Sequence, residues 1–256
     1  MRPAQHVVVQ PAGMTVDADL VYLDNAQWVV NDESRITGGQ LTQSFPNCVA
    51  IASRTKWKCS GVLIDARTVL TAAHCVARGI DRQVFVGNDL HRPQDGLVVQ
   101  VSSATVHPAY SLSHTAHDLA VLRLAKAVRG HVPDPVAAEV KQENVAVRAV
   151  GFGADTTDGQ SGFGKKRYAD LPLADRDPRY GIDVETEFVA GRPHLDRDSC
   201  PGDSGGPAYI QNDSGWSLAG ITSRATPGTY ASRECGDGGV YTLVYPYLDW
   251  IGSLQS

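Results

Sequence analysis

No apolar run in the 256 residues approaches the roughly 18 to 20 needed to cross a bilayer, which excludes a transmembrane helix and, with it, a membrane partner. Basic clusters are equally scarce. Lys and Arg number 23 against 28 Asp and Glu, and the net charge of −5 is spread along the chain. There is no basic stripe to neutralise a phosphate backbone, so nucleic acid is not an expected partner. The N-terminus carries Arg2 but only Val7-Val8-Val9 as an apolar stretch, well short of the roughly 7 to 15 residues of a secretory core segment. Cysteine is sparse: Cys48, Cys59, Cys75, Cys200 and Cys235. Internal repeats and low-complexity segments are absent.

What the chain does contain is ordinary globular material, 42% apolar and 20% charged, enough for a sizeable core. Residues 1 to 35 lack sustained periodicity and end in the polar stretch Asn31-Asp32-Glu33-Ser34-Arg35, an exposed segment open to proteolysis. From Cys59 onward, short runs rich in Val, Leu and Thr recur between turn residues. They are Gly61 to Ile64, Val69 to Thr71, Val84 to Val86, Leu97 to Val101 and Leu119 to Leu124. A second set follows at Val145 to Val150, Glu187 to Val189, Pro207 to Ile210, Leu218 to Thr222 and Val240 to Val244. This spacing indicates an all-β sandwich or barrel. One helix is expected, over Tyr245 to Leu254, with Tyr247, Leu248, Ile251 and Leu254 on its apolar side. Ala125 to Glu143, with Pro133 and Pro135, reads as a connection between the two sets.

Three strings carry chemistry. Thr71-Ala72-Ala73-His74-Cys75 ends a strand, His117-Asp118-Leu119-Ala120 opens another, and Cys200-Pro201-Gly202-Asp203-Ser204-Gly205-Gly206-Pro207 follows downstream. In wording and in the order His, Asp, Ser they resemble the chymotrypsin/trypsin family of serine peptidases, over about residues 36 to 256. A serine hydroxyl is a poor nucleophile at neutral pH and needs an imidazole to take its proton and later return it to the leaving amine. The resemblance assigns those roles to Ser204 and His74, with Asp118 orienting the ring and the amides of Gly202 and Ser204 forming the oxyanion hole.

The fold the resemblance implies is two packed six-stranded antiparallel β-barrels with a C-terminal helix. The first barrel spans about 36 to 132, the second about 133 to 244 and the helix about 245 to 254, preceded by a propeptide at 1 to 35. It also implies disulfides Cys59–Cys75 and Cys200–Cys235, the first contributing about 3 kcal/mol by loop closure. These bonds imply an oxidising compartment, extracellular or periplasmic, with a removed leader preferred over non-Sec export. Cys48 is left over, either buried and inert or a reactive thiol, with burial the default.

Arg35-Ile36-Thr37-Gly38-Gly39 resembles the family's activation site, with Thr37 in place of Val. Cleavage after Arg35 would free the Ile36 amine to pair with Asp203 and set the oxyanion loop. The cut falls either to an activating protease or to the enzyme itself. Asp198, six residues before Ser204, matches the carboxylate at the base of the specificity pocket, which favours Arg or Lys. Ser223 matches the serine beside that pocket and Gly239 a glycine of its wall. Where trypsins have Ser-Trp-Gly this chain has Ser223-Arg224-Ala225, so Ala225 is expected to narrow the pocket, and Arg224 to reach Asp198 or repel basic residues nearby.

The expected activity is that of a monomeric endopeptidase acting on protein or peptide substrates through an acyl-enzyme, without cofactor or metal. A catalytically silent, partner-binding homologue is the alternative. Calcium stays open, since Asn88, Asp89 and Asp95 lie in a suitable region without a ligand pattern. His114 and His117, three apart, are read as solvent-exposed histidines. Gly159 to Lys165 has Gly-x4-Gly-Lys spacing, but Lys166 replaces the needed Ser or Thr, so it is read as a surface loop. Asn212-Asp213-Ser214 is a sequon, meaningful only in a eukaryotic secretory host.

Overall fold

A computed structural model of the chain describes residues 39–53, 56–77, 82–111, 116–141, 146–174, 178–193, 195, 197–213, 215–226 and 234–255. The activation residues Arg35 and Ile36, His114 and the sequon serine lie outside the described residues.

Two antiparallel sheets make up the fold. Strands β2 (Cys48–Ser53), β3 (Trp57–Asp65), β4 (Thr68–Thr71), β5 (Arg82–Val86), β6 (Leu97–Val106) and β7 (Ala120–Leu124) close into a barrel in the order β2-β3-β4-β7-β6-β5. Closure leaves no edge strand unpaired. Its interior is filled by short branched side chains, among them Val49, Ile51, Leu63, Val69, Val84 and Leu122. The second sheet holds β8 (Ala146–Gly151), β9 (Arg167–Pro172), β10 (Glu187–Ala190), β11 (Pro207–Asn212), β12 (Gly215–Ala225) and β13 (Gly239–Leu243). They run in the order β9-β8-β11-β12-β13-β10, and a bridge between Leu173 and Ala190 brings the two ends together. A short strand β1 (Gln40–Leu41) crosses from the first half of the chain to pair with β9.

Three strands lie outside the runs picked from the sequence: β1, β2 and β9. The β9 segment alternates inward and outward, but its first inward side chain is Arg167, which masks the apolar alternation. The C-terminal element is a single 3-10 turn at Tyr245–Tyr247 followed by a helix, α2 (Leu248–Ser253). Tyr247 and Ile251 are buried as expected, whereas Leu248 faces solvent. The reason is the 3-10 turn, which breaks the helical period just before Leu248.

A third apolar cluster joins the halves. Leu70 and Leu119 from the first barrel pack with Val150, Tyr209, Ile221 and Val244 of the second sheet. Burying side chains of this size contributes about 1.5 to 3 kcal/mol each. This shared layer brings the end of β4, the start of β7 and the turn before β11 together. Cys48 sits in the same layer as a buried, unpaired thiol facing the Val150 carbonyl, and burial pushes its pKa up to about 12. Such a group is inert as a nucleophile at neutral pH.

Candidate active site

His74 stands in a one-turn helix, α1 (Ala73–Val76), directly after β4. The adjacent Cys75 is disulfide-bonded to Cys59 on β3, which pins this turn to the barrel wall. Asp118 lies two residues before β7, and β7 pairs with β4, so adjacent strand ends deliver the imidazole and the carboxylate to one place. His74 Nδ1 lies 2.7 Å from Asp118 Oδ2, and the His74 amide donates to Oδ1 at 2.9 Å. Asp118 is buried while the His74 side chain keeps 35% of its surface exposed. A buried carboxylate on Nδ1 sets the tautomer that leaves Nε2 able to accept a proton.

Ser204 reaches this corner from the other sheet. Its carbonyl accepts the Ser60 amide at 2.8 Å, and the following Gly205 amide donates to Thr222 on β12 at 2.7 Å. Gly205 has φ of +81°, and an added Cβ would fall 2.1 Å from Thr71 Oγ1, so only glycine lets the turn close against the end of β4. The Cys75 sulfur has His74 Nε2 at 3.7 Å on one side and the Ser204 carbonyl at 3.5 Å on the other. Among the described residues no hydrogen bond joins Ser204 Oγ to His74. Gly202, at φ +98°, packs so tightly on Gly153 that a Cβ would come within 2.8 Å of its Cα. The Gly202 and Ser204 amides have no acceptor among the described residues, so both remain available to a developing oxyanion.

Ser60 is a residue the sequence reading missed. Its hydroxyl donates to the Gly202 carbonyl at 3.0 Å and accepts the Phe152 amide at 3.0 Å, which fixes the peptide plane next to the oxyanion position. Its position beside Cys59 was the available signal.

Asp203 is buried, with the Gly153 amide on Oδ1 at 2.7 Å and the Cys200 amide on Oδ2 at 2.9 Å. Burial pushes its pKa up to about 7 against the pull of those amides and of Arg167. Asp198 is likewise buried. It accepts from the amides of Ser199, Gly236 and Gly238 at 2.7, 3.3 and 3.0 Å, and burial again raises its pKa to about 7. Gly239 stands beside it, and a Cβ there would lie 3.1 Å from Asp198 Oδ1. The Cys200–Cys235 disulfide ties the Ser204 segment to the segment carrying Gly236 and Gly238.

Two expectations need correction. Arg224 does not reach Asp198. Its guanidinium forks onto Glu187 of β10, with Nη1–Oε1 at 2.5 Å and Nη2–Oε2 at 2.9 Å, because β10 and β12 flank β13 and their side chains meet across it. Ser223 places its hydroxyl 2.7 Å from Asp118 Oδ2. Its position at the β12 bulge, where the register with β13 slips between Thr222 and Arg224, explains that placement. His117 is not a solvent-exposed histidine. It sits at φ +58°, half-buried, with Nδ1 2.7 Å from Tyr247 Oη and its ring stacked on His107.

Ala225 is exposed at the end of β12, opposite Gly239. The loop from Gly159 to Lys165 lies at the surface, but Lys166 and Arg167 after it turn inward and are fully buried. In the region considered for calcium, Asp95 pairs with Arg92 at 2.9 Å and Asp89 caps the His91 amide. Among the described residues, the one cluster with metal-ligand proximity is Cys59, His74 and Cys75, and there the disulfide consumes both thiolates. A hollow of about 80 Å³, lined by Trp57, Phe152, Phe163 and His91, opens next to Gly202.

The trypsin family model matches residues 36–251. Vitamin K-dependent protein C of Rattus norvegicus is 31% identical over 243 residues, covering 86% of this chain and 51% of that protein. Phenoloxidase-activating factor 3 of Holotrichia diomphalia is 28% identical over 279 residues, 93% of this chain and 78% of that one. Chymotrypsin-like elastase family member 1 of Bos taurus is 28% identical over 255 residues, 91% and 94% respectively. The chain thus spans about half the length of the protein C relatives it matches.

Proposed function

Since the chain belongs to the trypsin family of serine peptidases, we propose that it hydrolyses peptide bonds in protein substrates through an acyl-enzyme on Ser204. Ser204 Oγ attacks the scissile carbonyl carbon as its proton passes to His74 Nε2. The negative charge gathers on the carbonyl oxygen, facing the Gly202 and Ser204 amides. Collapse expels the amine, which takes the proton from His74, and water repeats the sequence to release the acid. Asp118 takes no proton; it holds the ring and stabilises the imidazolium. The observation carrying this reading is the 2.7 Å His74–Asp118 pair beside a turn whose two amides have no acceptor among the described residues.

Cleavage after Arg or Lys is the specificity this reading adopts. Its support is the buried Asp198 carboxylate, six residues before Ser204, with Gly239 rather than a larger residue beside it. A guanidinium or ammonium in that position gains a charge-assisted bond. The enzyme is made as a zymogen opened after Arg35, a bond that suits its own preference, so an activating protease or the enzyme itself makes the cut. Two disulfides suit an extracellular or periplasmic setting, and the protein acts as a monomer without a cofactor.

The absent Ser204–His74 hydrogen bond favours a second reading, a silent homologue that binds a partner through the same groove. Catalytic hydrogen bonds are often long in uncomplexed enzymes, which limits the weight of that observation. A fluorophosphonate probe applied before and after cleavage at Arg35 separates the two. Labelling that increases on cleavage and vanishes in Ser204→Ala supports the peptidase; absence of labelling in the cleaved form rejects it.

A further inference from the structure

Asp118 Oδ2 receives two donors, His74 Nδ1 and Ser223 Oγ, each at 2.7 Å. A serine hydroxyl carries one proton and rotates to suit its surroundings unless a neighbour fixes it. Here the neighbour is Arg224. Its Nη1 lies 3.4 Å from Ser223 Oγ, and a guanidinium only donates, so the Ser223 oxygen accepts on that side and its own proton is left for Asp118. Consecutive residues of a strand normally point to opposite faces, and the bulge at Ser223 is what lets these two side chains meet.

Arg224 is itself held from behind. Besides the two-pronged contact with Glu187, its Nη2 donates to the Gly181 carbonyl at 2.8 Å. Glu187 is fully buried and accepts the Asp183 amide on Oε2 at 2.9 Å. Such bidentate pairs fix geometry as well as charge. The outcome is one continuous series, Glu187, Arg224, Ser223, Asp118, His74, leading from a buried acid to the imidazole.

We propose that Arg224, backed by Glu187, is a positioning residue for hydrolysis: it orients the Ser223 hydroxyl onto Asp118 and sets a positive charge behind that carboxylate. This rests on the reading of His74, Asp118 and Ser204 as the hydrolytic set. The cation and the Ser223 hydroxyl both act on the carboxylate that holds the His74 ring, and so fix the position of that ring. Glu187 cancels part of that charge, but the guanidinium is the nearer partner of Ser223.

Replacing Arg224 alone would leave Glu187 buried and unpaired, which commonly unfolds a protein. The test therefore uses Glu187→Gln with Arg224→Met, in the native and in the Ser223→Ala background. The first measurement is the chemical shift of the proton between His74 Nδ1 and Asp118 Oδ2 by proton NMR, which needs no turnover. The paired change should move that signal with Ser223 present and move it less in the Ser223→Ala background. The second is hydrolysis of a small ester substrate. There kcat should fall roughly 3- to 10-fold with KM within about twofold, and fall no further in the Ser223→Ala background.

An unmoved signal, or an equal shift without the Ser223 hydroxyl, would overturn the proposal. So would a change confined to KM, which would mean that Arg224 touches substrate directly. If the protein turns over no substrate, the hydrolytic reading fails while the NMR signal still decides whether the series exists.

Discussion

The Gly153 amide sits 2.7 Å from Asp203 Oδ1, so the carboxylate that precedes Ser204 is held by the wall of the second sheet. A Cβ at Gly153 would fall 2.6 Å from the same carboxylate, and only glycine permits the approach. Neutral amides satisfy hydrogen bonds without supplying charge, and burial leaves the acid titrating near 7.

That raised value makes stability depend on pH. The folded Asp203 holds its proton up to about 7 while the unfolded one loses it near 3.8. Between those values the folded state binds more protons, so stability declines as pH rises from about 4 to 7. Thermal unfolding of uncleaved protein at pH 5 and pH 7.5 should show the lower midpoint at pH 7.5. Asp203→Asn should flatten the difference, and an unchanged slope in that variant would count against the assignment.

On the proposed zymogen reading, cleavage after Arg35 would supply the Ile36 ammonium as the missing charge. Arg35→Gln should leave the protein uncut and reduce kcat/KM on a peptide by about 100-fold or more, the scale of an oxyanion donor lost. Full activity in uncut Arg35→Gln would refute the zymogen reading. Activity of the cleaved form should decline as pH passes the α-amino pKa, because only the ammonium can pair with Asp203.

At Asp198 the same physics acts on affinity. Its carboxyl titrates at about 7 in the free protein, so KM for an arginyl substrate should climb as pH falls below 7. Asp198→Asn should remove that dependence and raise KM at least about tenfold, the loss of one charged hydrogen bond. Asp198→Ser with unaltered kinetics, or a peptide library cut after aromatic residues, would refute the Arg/Lys preference.

Arg167 and Asp155 form a buried pair, Nη2 to Oδ2 at 3.2 Å, with the guanidinium also donating to the Gly162 carbonyl at 2.7 Å. Removing Asp155 alone should cost about 3 to 5 kcal/mol in urea unfolding, because a charge is left buried without its counter-ion. Replacing both with apolar residues of similar volume should cost far less. Equal losses in the two variants would mean that the pair contributes nothing as a pair.

Much of the fold could be read because short branched runs between turn residues identify strands wherever the inward residues are apolar. The reading failed at β9, where the inward residue is Arg167, and at β1, whose two exposed residues carry no pattern. It failed differently at Leu248, where a 3-10 turn shifts the phase of an otherwise correct helix.

Taken alone, the sequence determined the family, the two-sheet class and the residues to inspect, because His74, Asp118 and Ser204 each lie in a distinctive local string. Tertiary structure decided the partners. Glu187, an acid at the head of an apolar strand, and Arg224, a cation near the end of β12, stand far apart in the chain and meet only across β13. Ser223 joins Asp118 because a one-residue bulge re-aims its side chain, and a bulge is a property of two strands in register, which no single segment encodes.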